Sequence, residues 1–162
     1  MIAAKFLGPL VITKLPDRHW ELHEPLRYQS RLARTRFVVP AGFVTDLASV
    51  GRWPVAFWLA GDTAHEAAVL HDAMYQLRLV GTRVQADAIF EEAMAASGVP
   101  AWRRWLMYRA VRLGGQGSWN SGPERLRILN RDTALPSVAA GGHTALRVAG
   151  LVTDLSDQWA VA

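Results

Sequence analysis

The sequence predicts an α+β fold, in which a small antiparallel β portion from the N-terminal half packs on a helical hairpin and a third helix. Short β-branched and apolar segments, separated by prolines and glycines, occupy the first 45 residues. Longer segments with helical periodicity follow, and two of them open with a Thr-x-x-Glu or Thr-x-x-Gln capping box. Strands followed by helices, rather than strands alternating with helices, indicate the α+β class.

The predicted strands are short, because a turn residue interrupts each run of apolar and β-branched residues. The triplet Pro40-Ala41-Gly42 separates the last two strands, so we predict that they pair as a β-hairpin. The predicted strand segments are residues 6–14, broken by Gly8-Pro9, and residues 20–23, 26–29, 36–39 and 43–45.

The capping boxes at Thr63 and Thr82 open the first two helices, and Gly98 fits just after the second. Only a few residues separate these two helices, so they should lie antiparallel as a helical hairpin. The third helix should end at Gly114-Gly115. The predicted helices span residues 63–79, 82–97 and 101–113.

The length of 162 residues suits one domain with a sizeable core. The glycine-rich stretch at residues 114–118 is typical of a linker. We therefore predict a single α+β domain over residues 1–115 and a C-terminal extension over residues 116–162.

Composition excludes several function classes. The chain has no cysteine, which rules out a disulfide framework, a thiolate metal site and a cysteine nucleophile. Its net charge of +4 is a mild bias towards anionic partners such as phosphate or lipid headgroups. No segment reaches the roughly 18–20 apolar residues of a membrane-spanning helix, and the first residues do not have the pattern of a signal peptide.

Polar side chains interrupt the apolar stripes of the predicted helical hairpin. His71 and Tyr75 are four residues apart and share one flank of the first helix, while Asp87 borders the stripe of the second. Packing the stripes together brings Asp87 beside His71, so the carboxylate can hold one ring nitrogen and leave the other to accept a proton. Asp72 points further round and could bind a metal with backbone carbonyls and water. The alternative is that the histidine and its carboxylate partner only hold the helices together.

The stretch HDAMY, followed by ADAIF, resembles the His-Asp-x-x-Tyr and Ala-Asp pattern of secreted and parvoviral phospholipases of the histidine–aspartate type. This resemblance implies that His71 is a general base and that Asp72 binds calcium. It also implies that Tyr75 and Asp87 orient the histidine. His71, Tyr75 and Asp87 are therefore the predicted catalytic residues, and Asp72 is a predicted metal ligand.

A longer resemblance rests on VPAGFVTDLASV, AAVLHDAMY, ADAIFEEAM and LMYRAVRLGG. These stretches are similar to a phage and prophage family known as domain of unknown function 1353, over roughly residues 5–119. The resemblance implies a small phage-borne or prophage-borne protein without an established activity. Within the first stretch, Asp46 ends a strand, where it is either a second oxygen ligand for a metal or the cap of a following short helix.

The third helix combines Trp102 and Trp105 with several arginines. Such a helix can lie on an anionic membrane or bind phosphates. The simpler interpretation is a core-facing stripe with a solvated basic face. The sequence has no specific nucleic-acid-binding motif and no phosphate-cradling glycine loop.

Two classes of function follow from these features. The first is a metal-assisted hydrolase of lipid or envelope esters, with calcium as its cofactor and a phospholipid or another envelope component as its partner. The second is a non-enzymatic phage structural or assembly protein, for example of the tail, which binds other virion proteins and uses the same cluster as a structural network. Both predict a location in the host cytoplasm or in the phage virion.

Overall fold

A computed structural model describes residues 3–16, 19–45, 64–129 and 152–154, with side chains placed up to residue 122. The α+β class is confirmed: two small antiparallel sheets pack with four helices. The strands are β1 (Lys5–Phe6), β2 (Ile12–Lys14), β3 (Trp20–Leu22), β4 (Leu26–Ser30), β5 (Thr35–Val39), β6 (Val44–Thr45) and β7 (Val152–Asp154). The helices are α1 (His65–Gln76), α2 (Arg83–Ala96), α3 (Ala101–Gly114) and α4 (Gln116–Leu129).

The strands form a four-stranded sheet in the order β1-β4-β5-β7 and a three-stranded sheet in the order β2-β3-β6. The predicted hairpin between β5 and β6 is wrong, because β5 pairs with β4 and β7 whereas β6 pairs with β3. The turn itself is present, and Gly42 has the positive φ of 78° that such a turn requires. Beyond it, Gly42 N donates to Leu22 O at 2.7 Å and Leu22 N donates to Phe43 O at 3.0 Å, so the chain leaves one sheet and joins the other.

The second helix begins and ends where its sequence predicts. The Thr82 hydroxyl accepts a hydrogen bond from Gln85 N at 3.2 Å, which satisfies one of the free donors of the first turn. At the other end Gly98 has a φ of 78°, and Val99 N donates to Met94 O at 3.0 Å. This is the Schellman motif, in which a glycine with positive φ ends a helix.

The first helix is shorter than predicted. Its N-cap is Ala64, which makes no side-chain capping bond. The threonine of the predicted capping box, Thr63, lies outside the described residues. The helix ends at Gln76, because Arg78 adopts a left-handed φ of 53° that α-helical geometry does not allow.

Helix α1 is the centre of the molecule. Its ten residues from 67 to 76 are all buried, because α2, α4 and strands of both sheets contact it. Alanines at positions 67, 68 and 73 keep its surface small enough for this close packing. Every polar side chain on this stretch is therefore buried, whichever direction it faces.

The two hairpin helices run antiparallel, as predicted. The ring of His71 lies 4.5 Å from that of Phe90, measured between centroids. One turn further along α1, Tyr75 bonds to Asp87, which lies nearer the start of α2. Partner numbers on α2 therefore fall as residue numbers on α1 rise, which is the antiparallel arrangement.

The linker interpretation of residues 114–118 is wrong, because α4 begins at Gln116 and packs on α1. A Cβ at Gly122 would lie 2.2 Å from the Tyr75 carbonyl oxygen, so this glycine permits the close approach of the two helices. The Trp119 ring meets the Tyr75 ring edge-on, with centroids 5.2 Å apart. The domain boundary at residue 115 stays a prediction.

Helix α3 confirms its predicted bounds but not its predicted stripe. Met107 and Val111 are buried, whereas Trp102 and Trp105 are 58% and 61% exposed. The tryptophans therefore point away from the core. None of the helices in the described part of the chain is long and apolar enough to cross a membrane.

Candidate functional site

Three of the predicted site residues meet between α1 and α2. His71 Nε2 lies 2.9 Å from Asp87 Oδ1, and the Tyr75 hydroxyl donates to the same oxygen at 2.6 Å. An ionised carboxylate only accepts hydrogen bonds, so Nε2 must carry a proton. In the neutral ring, Nδ1 then holds the lone pair and is the nitrogen able to accept a proton.

The second carboxylate oxygen of Asp87 binds arginine. Arg112 on α3 donates to Oδ2 at 2.8 Å, and Arg83, one turn before Asp87 on α2, lies 3.6 Å from it. Arg83 also donates to the carbonyls of Val111 and Arg112 at 3.1 Å each, where α3 ends. A carboxylate with no solvent exposure is thus surrounded by donors, so its burial is compensated.

The electrostatics fix the charge states of this cluster. Burial lowers the pKa of His71, outweighing the opposing hydrogen bond and charge of Asp87, and the charge of Arg83 lowers it further. Burial alone would raise the pKa of Asp87, but the bonds from His71, Tyr75 and Arg112 bring it below the usual value. Burial and the Asp87 contact raise the pKa of Tyr75. At neutral pH the cluster therefore holds a neutral imidazole, a carboxylate and a neutral phenol.

Sequence reasoning missed both arginines. Arg83 lies four residues before Asp87 on the same helix, which is the spacing of a helical ion pair, so this contact could have been predicted from the sequence. Arg112 had no such signal, because it reaches Asp87 only through the packing of α3 on α2.

Asp72 does not join the cluster of His71, Tyr75 and Asp87. It is buried at the other side of α1, where its Oδ2 accepts a hydrogen bond from the Thr45 hydroxyl of β6 at 2.5 Å. Asp46, the other predicted metal ligand, lies outside the described residues. Within the part of the chain that the structure describes, no three histidine, aspartate or glutamate side chains group as a metal site would require.

His71 is enclosed by rings. The Tyr75 and Phe90 rings lie with centroids 4.3 Å and 4.5 Å from the imidazole, which is 3% exposed. A cleft of about 460 Å³ opens elsewhere, between the β4–β5 turn, the α1–α2 connection and α2, and Phe37 and Ile89 are among its lining residues. The candidate cluster does not line this cleft.

A second carboxylate ties α2 to the larger sheet. Glu92 accepts hydrogen bonds from the Tyr28 hydroxyl at 3.0 Å and the Ser30 hydroxyl at 2.8 Å. It also accepts from the backbone N–H groups of Arg31 and Leu32, at 3.1 Å and 2.9 Å. Burial and the Glu92 charge raise the pKa of Tyr28. All of these contacts are within the protein, so we interpret this group as an anchor for the β4–β5 turn.

Fold and site together define an α+β protein with a buried histidine–aspartate pair, held by a tyrosine and two arginines, between two antiparallel helices. The chain belongs to the family described as "Protein of unknown function (DUF1353)", whose model matches residues 20–111, more than half of its length. That match includes His71, Asp72, Tyr75 and Asp87. No curated protein and no solved structure matches the chain.

Proposed function

We propose that this protein is a hydrolase of ester bonds in a lipid or another envelope component, with His71 as general base. The observation that carries the proposal is the contact of 2.9 Å between His71 Nε2 and Asp87 Oδ1. It fixes the tautomer in which Nδ1 accepts a proton, and burial keeps the ring neutral. The local resemblance to histidine–aspartate phospholipases assigns the same roles to the same residues.

The chain's own residues supply the following chemistry. Nδ1 of His71 takes a proton from water while the water oxygen attacks the ester carbonyl carbon. The imidazolium then returns that proton to the leaving alkoxide as the carbon–oxygen bond breaks, which gives an acid and an alcohol. Asp87 stabilises the transient imidazolium, and Tyr75 holds the carboxylate in place. Asp87 and Tyr75 are thus positioning residues.

Calcium is part of the proposal only through the resemblance. Calcium takes six to eight oxygen ligands, and the described residues provide at Asp72 one carboxylate, already bonded to the Thr45 hydroxyl. These residues do not by themselves make a calcium site. No step of the chemistry is therefore assigned to an ion, and the ligand roles of Asp72 and Asp46 stay predictions.

A second candidate function has its own support. Asp87 has no exposure, both of its oxygens are bonded, and His71 is 3% exposed. This is how a purely structural network is built. In this alternative the protein is a phage structural or assembly component, associated with the tail and bound to other virion proteins. The phage or prophage origin, and the location in host cytoplasm or virion, belong to the proposal in either form.

The test compares fatty acid release from phospholipid vesicles by the wild type and by His71→Gln, each with calcium and with a chelator. His65→Gln is the matched control, because it makes the same change at the start of the same helix. Tyr75→Phe removes only the hydroxyl that bonds Asp87. Melting temperatures of all four proteins accompany the assay.

The hydrolase proposal predicts release by the wild type and by His65→Gln. It predicts loss of release in His71→Gln while the protein stays folded, and a reduced rate in Tyr75→Phe. No release by the wild type under either condition, together with lower melting temperatures for His71→Gln and Tyr75→Phe, would overturn the hydrolase and support the structural network.

A further inference from the structure

Helix α3 has an exposed face that is unusually apolar. Trp102, Trp105 and Leu113 are 58%, 61% and 82% exposed, and Leu106 is also exposed. At 100° per residue these four positions and Arg109 fall within an arc of about 100°. The buried Met107 and Val111 lie on the opposite side of the helix. The face is therefore one continuous surface rather than scattered apolar residues.

The same helix is strongly basic. It has four arginines at positions 103, 104, 109 and 112, and no acidic residue. The Arg103 guanidinium lies 5.2 Å from the centre of the Trp102 ring, and that of Arg109 lies 5.8 Å from the Trp105 ring. Each exposed indole thus has a cation beside it, so an apolar group and a positive charge are presented together.

These features select one kind of partner. Indole rings favour the boundary between lipid headgroups and acyl chains, and arginines bind the phosphates there. Exposed leucines serve neither phosphate binding nor base stacking, and single-stranded nucleic acids are bound in grooves rather than on a convex helix. A symmetric contact with a second copy would set this basic face against its own arginines, which is unfavourable.

We propose that α3 binds the surface of an anionic phospholipid bilayer. The helix lies in the plane of the interface, with Trp102, Trp105 and Leu113 at the acyl boundary and Arg103 and Arg109 on lipid phosphates. This inference does not rest on catalysis by His71. If the hydrolase proposal is also correct, α3 holds the candidate cluster near its substrate, since Arg112 of the same helix bonds Asp87.

The experiment measures sedimentation of the full chain with vesicles of phosphatidylglycerol and phosphatidylcholine, or of phosphatidylcholine alone. We expect binding to the anionic vesicles that weakens with added salt. The affinity of the double variant Trp102→Ala/Trp105→Ala for these vesicles should be lower by a factor on the order of ten or more. Because both side chains are exposed, its melting temperature should stay near that of the wild type.

Two control variants test whether lipid binding belongs to the exposed face of α3. Leu32→Ala removes a side chain that is equally exposed but lies on the β4–β5 turn, and it should bind as the wild type does. His71→Gln should also bind normally, whether or not it hydrolyses lipid. Loss of lipid binding in this variant, if it is folded, would contradict the independence of the two proposals.

Several results would overturn the membrane assignment. They are equal binding to both kinds of vesicle, unchanged binding by the double tryptophan variant, or no binding at all. A dimer that the tryptophan variant converts to a monomer would assign the face to a second copy of the chain. Retention of single-stranded DNA in a gel, without binding to vesicles, would assign it to nucleic acid.

Discussion

Replacing Asp87 with asparagine perturbs the network at its centre, because one carboxylate joins α1, α2 and α3. Its Oδ1 accepts from His71 and Tyr75, and its Oδ2 accepts from Arg112 with Arg83 close by. Asparagine keeps the shape but has one oxygen and one NH2 group. Whichever way the amide is turned, its NH2 group faces hydrogen-bond donors.

The size of the effect follows from these contacts. A hydrogen bond to a charged group contributes about 1.5–3 kcal/mol, and breaking a buried ion pair by removing one partner costs about 3–5 kcal/mol. Arg112 is partly open to solvent, with 28% of its side chain exposed, so water compensates part of its loss. We therefore expect Asp87→Asn to lower the free energy of unfolding by about 3 kcal/mol, a large share of the roughly 5–15 kcal/mol of a typical domain.

The assay is urea unfolding followed by circular dichroism, with the slope against denaturant compared between variants. Glu91→Gln is the matched control, because it makes the same chemical change one turn further along α2 at a half-buried position. Its unfolding free energy should stay within about 0.5 kcal/mol of the wild type. If Asp87→Asn is as stable as Glu91→Gln, the cluster does not hold the helices together and the reasoning is refuted.

The remaining predictions concern the pH dependence of stability and two further contacts in the fold. Acidification should destabilise the wild type as pH falls below 6.5, the ordinary pKa of histidine, because the lowered pKa of buried His71 leaves it unprotonated while the unfolded chain takes up the proton. His71→Gln should lack this loss of stability down to about pH 3.8, the usual pKa of an aspartate, below which the lowered pKa of Asp87 causes a further loss. Unfolding free energies of both proteins, measured across this pH range with a chelator present, report both effects. If the unfolding free energy depends on pH equally in the wild type and in His71→Gln, the interpretation is contradicted. Glu92→Ala should lower the unfolding free energy by about 2–4 kcal/mol, since it removes the acceptor of four hydrogen bonds, and a loss below 0.5 kcal/mol by urea unfolding would refute the anchor. Gly122→Ala should lower the free energy of unfolding by about 1–3 kcal/mol in thermal unfolding, because its Cβ would meet backbone atoms. Gly117→Ala, whose Cβ would meet nothing within 4 Å, should be neutral or stabilising. If Gly117→Ala is instead the less stable variant, α4 does not pack closely on α1.

Local signals predicted helix α2 and the contact between the two hairpin helices well. The capping box at Thr82 and the glycine at position 98 involve neighbours in sequence, so the bounds of α2 follow from the chain alone. The meeting of His71, Tyr75 and Asp87 also follows from helical spacing and one short connection, and the structure brings them together as expected. Their catalytic roles stay a prediction.

Features that depend on distant partners could not be predicted. The residues at positions 40–42 predicted the turn. The strand after it, β6, pairs with β3, which is distant in sequence, so this pairing could not be predicted. The exposure of Trp102 depends on what covers α3, and the bond from Arg112 depends on how α3 packs on α2. The close approach at Gly122 could not be predicted, because only the fold shows the backbone that this glycine approaches.

The central physical claim is that burial keeps His71 neutral and that Asp87 fixes its tautomer, with Nε2 protonated and Nδ1 left as the proton acceptor. Nitrogen chemical shifts of the His71 imidazole at neutral pH, correlated with its ring protons by NMR, report the protonation of both nitrogens directly. We expect a protonated Nε2 and an unprotonated Nδ1. A ring protonated on Nδ1, whether on both nitrogens or on that one alone, would contradict it.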